Sequence, residues 1–108
     1  MKINELQPRS NFDEVKVRVL SKQGPREVSF RDGRTATVWD LEVIDDTGTA
    51  RFTLWKDVEA EKCQVGEVIS ITNGWCKDEW NNQTQISLGK NGQLAPAADD
   101  PSIPTNPP

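Results

Sequence analysis

A small, closed all-β domain is the fold class that these 108 residues predict. Three observations carry the expectation. Apolar and polar residues alternate with period two over several stretches, as in Val15-Lys16-Val17-Arg18-Val19, the pattern of strands that bury one face. Asp32-Gly33 and Asp46-Thr47-Gly48 supply tight-turn chemistry between such stretches. Between two later stretches, Asp57 followed by Val58 to Cys63 reads as one short capped helix.

Taken in order, Ile3 and Leu6 ahead of Pro8 predict a single helical turn laid against one end of the strands. Phe12 to Leu20 is the first strand, with Val15, Val17 and Val19 inward and Lys16 and Arg18 outward. Gly24-Pro25 marks a bulge, after which Val28 and Phe30 resume the pattern. Ala36 to Ile44 returns from the Asp32-Gly33 hairpin, and Trp39 shares a face with Leu41 and Val43, which reads as core. Thr49 to Trp55 is the third strand. There Phe52 and Leu54 face one way, and Arg51, Thr53 and Trp55 the other. Gly66 suits a stop after the helix, and Val68 to Thr72 is the fourth strand, with Gly74 expected to kink it. Residues 77 to 82 read as a polar loop holding Trp80, and Gln83 to Leu88 as the fifth strand.

Five strands with a short helix between the third and fourth make a Greek-key barrel, the OB-fold layout. The folded domain is expected to span residues 1–93. Residues 94–108 hold five of the seven prolines. They are expected to form a disordered, Pro-rich, acidic tail, because they offer too little apolar surface to offset their ordering entropy.

Barrels of this layout bind oligonucleotides across strands 2 and 3 and the 1-2 and 4-5 loops. The chemistry for that sits at those places. Arg51, Thr53 and Trp55 lie on strand 3, Arg31 and Arg34 at the 1-2 loop, and Trp75, Lys77 and Trp80 around the 4-5 loop, with Lys16 and Arg18 on the outer face of strand 1. Indoles stack any base, and cations hold phosphates.

The net charge of −4 argues against a polyanion, but the charges are segregated. Residues 15–34 carry six basic against two acidic side chains, whereas residues 35–67 carry three against eight. No apolar run reaches a membrane span and no signal-peptide core is present, so a soluble, cytoplasmic protein is expected. Cys63 and Cys76, with no histidine in the chain, suggest reduced thiols and neither a zinc site nor a disulfide framework. No cofactor is implied.

The opening Ile3-x-Glu5-Leu6-x-Pro8, the Val15-x-Val17-x-Val19-Leu20 strand, Asp45-Asp46-Thr47-Gly48 followed by Leu54-Trp55, Val65-Gly66-Glu67-Val68-Ile69 and Gly74-Trp75 resemble one family. It is the archaeal single-stranded DNA-binding proteins of the single-OB type, related to replication protein A. The resemblance covers nearly all of residues 1–90. It implies base stacking by Trp55, Trp75 and Trp80, single-stranded DNA as partner with RNA left open, a monomer in solution, and a tail that recruits partner proteins or is dispensable. The stretch from Cys76 to Glu79, just before Trp80, is slightly longer than the family's.

Two other classes compete. An OB module can serve as a protein-interaction or RNA-binding subunit of a larger assembly, using the same face. Asp46-Thr47-Gly48 is also the triplet of aspartic proteases. That chemistry needs a carboxylate pair in an apolar setting, whereas Asp45 precedes the triplet here and a polar turn accounts for it.

Overall fold

The computed structural model describes residues 1–55, 57–80, 82–89 and 91–105, with only the backbone of Asp57, Val58 and Trp80. A 3-10 turn at Ile3–Glu5 leads into β1 (Ser10–Ser29), β2 (Thr35–Asp45) and β3 (Gly48–Leu54). The helix α1 (Asp57–Glu61) comes next, then β4 (Val68–Trp80), β5 (Gln83–Ser87) and β6 (Gln93–Pro96).

The sheet runs β1-β2-β3-β5-β4-β6, and β1 also pairs with β4, so β1 to β5 close into a ring. All pairings are antiparallel except β3 with β5. This is the five-stranded OB barrel expected from the turn and strand pattern. Closure removes the exposed edges of the five ring strands. Inside lie Val15, Val17 and Val19 of β1, Leu41 and Val43 of β2, Phe52 and Leu54 of β3, Ile69 and Ile71 of β4 and Ile86 of β5. Ile3 and Leu6 of the opening turn close one end, while Trp39 and Leu88 pack partly buried against the cluster.

Local irregularities each have a definable effect. Registers between β1 and β2 shift between Gln23 and Arg26, where the bulge was expected at Gly24-Pro25; Arg26 then faces the same side as Gln23 and Asp40. At the expected kink in β4, Asn73 takes a left-handed φ of +51°, yet pairing to β1 keeps one register from Glu14 opposite Thr72 to Phe12 opposite Gly74. The role of Gly74 is clearance, because a Cβ there would overlap the Phe12 ring. Lys22 Nζ donates to the carbonyls of Ala60 (2.7 Å) and Cys63 (3.1 Å), which holds the end of α1 over the barrel. Cys63 and Cys76 are free and buried. Burial pushes the Cys63 thiol up to about 11, so it stays protonated at neutral pH.

Two segments depart from expectation. The segment read as a polar loop is instead the end of β4, which extends to Trp80 and pairs with β5 through Lys77 opposite Gln85 and Trp80 opposite Gln83. Residues 94–105, expected to be a disordered tail, are placed on the barrel. β6 takes Gln93–Pro96 alongside Ile69 to Thr72 of β4, with Leu94 buried. Beyond it Ile103 is buried with Ile44 and Val68 in a second, outer cluster. Arg18 accounts for this placement. Only 5% exposed, its guanidinium donates to the carbonyls of Gly66, Asp100, Ile103 and Pro104 and pairs with Asp99 at 2.8 Å. A composition-based reading cannot anticipate one arginine that satisfies three tail carbonyls. Arg18→Ala is expected to lower stability by about 1–3 kcal/mol, the worth of hydrogen bonds to a charged group. Amide exchange should then speed up over residues 100–105 while the barrel strands stay protected.

Candidate nucleic-acid interface

Strand pairing fixes what the outer face of the barrel presents. Because residues opposite each other share a face, the registers define two rows. One runs Glu42, Arg51, Gln85, Lys77 across β2, β3, β5 and β4; the other runs Asp40, Thr53, Ser87, Trp75. Adjacent strands lie about 4.8 Å apart, so Thr53 and Trp75 are roughly 10 Å apart across the face. Trp55 comes after Leu54 just beyond β3, two residues along from Thr53, and is 46% exposed.

Between the rows and the start of α1 lies an open cleft of about 240 Å³, lined by Thr53, Trp55, Glu59, Lys77, Ser87 and Gly89 among others. Trp75 borders it: a Cβ on Gly89 would stand 3.3 Å from the Trp75 Cβ. Gly89 itself has a left-handed φ of +66°, which glycine accepts without strain. The cleft therefore has an indole at one side, hydroxyls on its floor, and in its lining both a cation, Lys77, and a carboxylate, Glu59. That is a combination suited to a flat, partly apolar ring with a charged backbone.

The sequence-predicted residues whose side chains are described divide into three groups. Arg51, Thr53, Trp55, Trp75 and Lys77 are brought together on this face. Arg31 and Arg34 are exposed at the tip of the β1–β2 hairpin, where Arg34 pairs with Asp32 at 2.6 Å and lies 5.9 Å from the Phe30 ring centre. Lys16 and Arg18 are not part of the face. They lie on the outside of β1 opposite Ser70 and Val68, and Arg18 is filled by the tail, which removes it as a nucleic-acid contact. The side chain of Trp80 lies outside the described residues. Trp39 is partly buried against the core with Lys22 Nζ 5.0 Å from its ring centre, consistent with its reading as core.

Phe30 is the residue that the sequence reading misplaced. Expected to face inward with Val28, it falls just past the end of β1, is 42% exposed, and stacks on Trp55 with ring centres 6.4 Å apart and planes 23° apart. The signal in the sequence was its position next to the Asp32-Gly33 turn, where strand alternation no longer governs a side chain. Among the described residues, no three His, Cys, Asp or Glu side chains are grouped to hold a metal. Nor is any helix there long and apolar enough to cross a membrane.

The closed ring, the helix between β3 and β4 and an aromatic-bearing outer face define an OB-fold chain. The chain is 30% identical over 99 residues to the single-stranded DNA binding protein Ssb of Saccharolobus solfataricus, an alignment covering 92% of this chain and 65% of that protein. It is 28% identical over 101 residues to replication factor A of Methanothermobacter thermautotrophicus, covering 91% of this chain and 13% of that protein. The resemblance read from the sequence motifs is thus borne out. The chain spans about two thirds of the first relative's length and a small part of the second's. A replication protein A heterotrimer solved bound to single-stranded DNA contains the same fold, with a TM-score of 0.79 at 21% identity over 96% of this chain and 26% of that one. No family model matches the chain.

Proposed function

We propose that the chain binds single-stranded DNA, with little regard to sequence, on the outer face of β2, β3, β5 and β4. The observation that carries this is the exposed Trp55 beside an open cleft whose floor is Thr53 and Ser87. The relatives named for single-stranded DNA binding and replication support it. In this reading Trp55 and Trp75 stack bases, with Trp80 a third stacking residue at the β4–β5 turn. Lys77, Arg51, Arg31 and Arg34 meet phosphates or sugars, and Thr53 and Ser87 meet polar base edges. Bases can differ because stacking needs only a π-face. Duplex DNA keeps its bases paired and stacked and so offers this face only its backbone. Such a surface serves to coat and protect unpaired strands in replication, recombination or repair.

Titration of tryptophan fluorescence with oligo-dT, oligo-rU and duplex DNA tests the reading. Strong quenching by oligo-dT and weak quenching by duplex is the expected result; equal response to duplex would overturn it, and the oligo-rU arm measures the preference for DNA over RNA. The salt dependence is set by charge. With few unpaired cations on the face and an acidic chain overall, log K against log salt is expected to have a slope of about −2 or shallower, at roughly 0.7 per phosphate neutralised on a single strand.

A further inference from the structure

Asp40 stands where a surface for a polyanion is expected to avoid a carboxylate. It lies in β2 directly opposite Thr53, at the β2 end of the row that runs on to Ser87 and Trp75, with its side chain 12% exposed. Two arginines from different strands converge on it. Arg26 of β1, turned onto this side by the bulge, donates from Nε to one carboxylate oxygen at 2.7 Å, and Arg51 of β3 brings Nη2 within 3.2 Å of the other. Burial raises the Asp40 carboxyl, but the hydrogen bond from Arg26 and the charges of Arg51 and Arg26 outweigh it and hold the group below the usual carboxylate range. It is therefore ionised at neutral pH. Glu42, one pleat along and opposite Arg51, adds a second carboxylate to the same patch.

Resting on the single-strand reading of this face, we propose that Asp40 is a built-in competitor for the nucleic-acid backbone, holding Arg51 and Arg26 in reserve and thereby limiting how tightly the strand is gripped. A guanidinium already paired with a carboxylate gains little by exchanging that partner for a phosphate, since both are charge-assisted acceptors of similar geometry. Arg51 then adds little affinity while Asp40 is charged. Binding rests on stacking, which lets a strand be covered without being locked in place.

The test is oligo-dT binding to the full chain and to D40N, R51A, D40N/R51A and E42Q at several salt concentrations. Asparagine keeps the size of the side chain and one acceptor oxygen, and circular dichroism checks that each variant is folded. D40N is expected to bind about two- to tenfold tighter at low salt, the range that freeing one or two paired cations allows. Its salt slope should steepen by about 0.7 to 1.4. The gain should shrink sharply in D40N/R51A, because it passes through Arg51. E42Q removes the same unit of charge from the same face and should give a smaller gain. Equal gains in E42Q and D40N would reduce the effect to bulk charge and overturn the competitor role. Weaker binding by D40N would make Asp40 a positioning residue for Arg51 and overturn it too. Binding by wild type with no change in D40N refutes the competitor alone, whereas no binding by either chain refutes the single-strand reading with it.

Discussion

Trp55→Ala is expected to weaken oligo-dT binding by about 5- to 150-fold, the equivalent of roughly 1–3 kcal/mol for one lost base stack. The fold should survive. Trp55 is 46% exposed just past β3, so its removal opens no cavity in the barrel, although Phe30 loses its stacking neighbour. Trp75→Ala is expected to weaken binding over the same range, but here some stability goes as well, because Trp75 is half-buried in β4 against Gly89. Trp75→Phe keeps a ring for stacking and packing and should recover most of both affinity and stability. If the two indoles hold different bases, the losses multiply in the double variant. Anisotropy of a labelled oligonucleotide gives the affinities without relying on the fluorescence that the substitutions remove. Wild-type affinity in both single variants would show that the strand does not lie on this face.

The barrel was legible because its signals are local. Alternation in Val15-Lys16-Val17 and the turns at Asp32-Gly33 and Asp46 to Gly48 each settle a strand or a hairpin without knowledge of the rest. The outward parity of Arg51, Thr53 and Trp55 comes from the same rule. What was not legible depends on which surface meets which. Lys16 and Arg18 look alike on an outward strand face, yet only Arg18 lies in the row with Ile44 and Val68, where Ile103 docks. Parity says that a side chain points out; it does not say whether something covers it. Asp40 is the same case in reverse. Its acidity was visible, but its meeting with Arg26 depends on a register shift in β1 and its meeting with Arg51 on the β2–β3 register.

The opposite outcome is expected at the turn that joins β2 to β3, where the effect is on stability. Asp45 is 2% exposed, and its carboxylate accepts hydrogen bonds from the backbone N–H groups of Ile3 (2.7 Å), Thr47 (2.7 Å) and Gly48 (3.2 Å) and from the Thr47 hydroxyl (2.6 Å). It therefore shapes the Asp46-Thr47-Gly48 turn and ties the opening 3-10 turn to the barrel at once. Three of these four donors come from Thr47 and Gly48, which gives those two residues of the Asp-Thr-Gly triplet a structural role. Asp45→Ala leaves the Ile3 N–H without its buried partner and loosens the hold on Ile3 and Leu6, both part of the core. A cost of about 3 kcal/mol is expected for a buried carboxylate lost from several donors. For a domain of this size that is a fall in Tm of roughly 10 to 20 °C. Asp46→Ala is the control. Its partner is Lys2 at 2.7 Å, with both side chains more than 40% exposed, so its melting should stay close to wild type. Thermal circular dichroism of the two variants, with amide exchange at Ile3, distinguishes them. Equal melting of Asp45→Ala and wild type would mean that the turn and the N-terminal segment hold without the carboxylate.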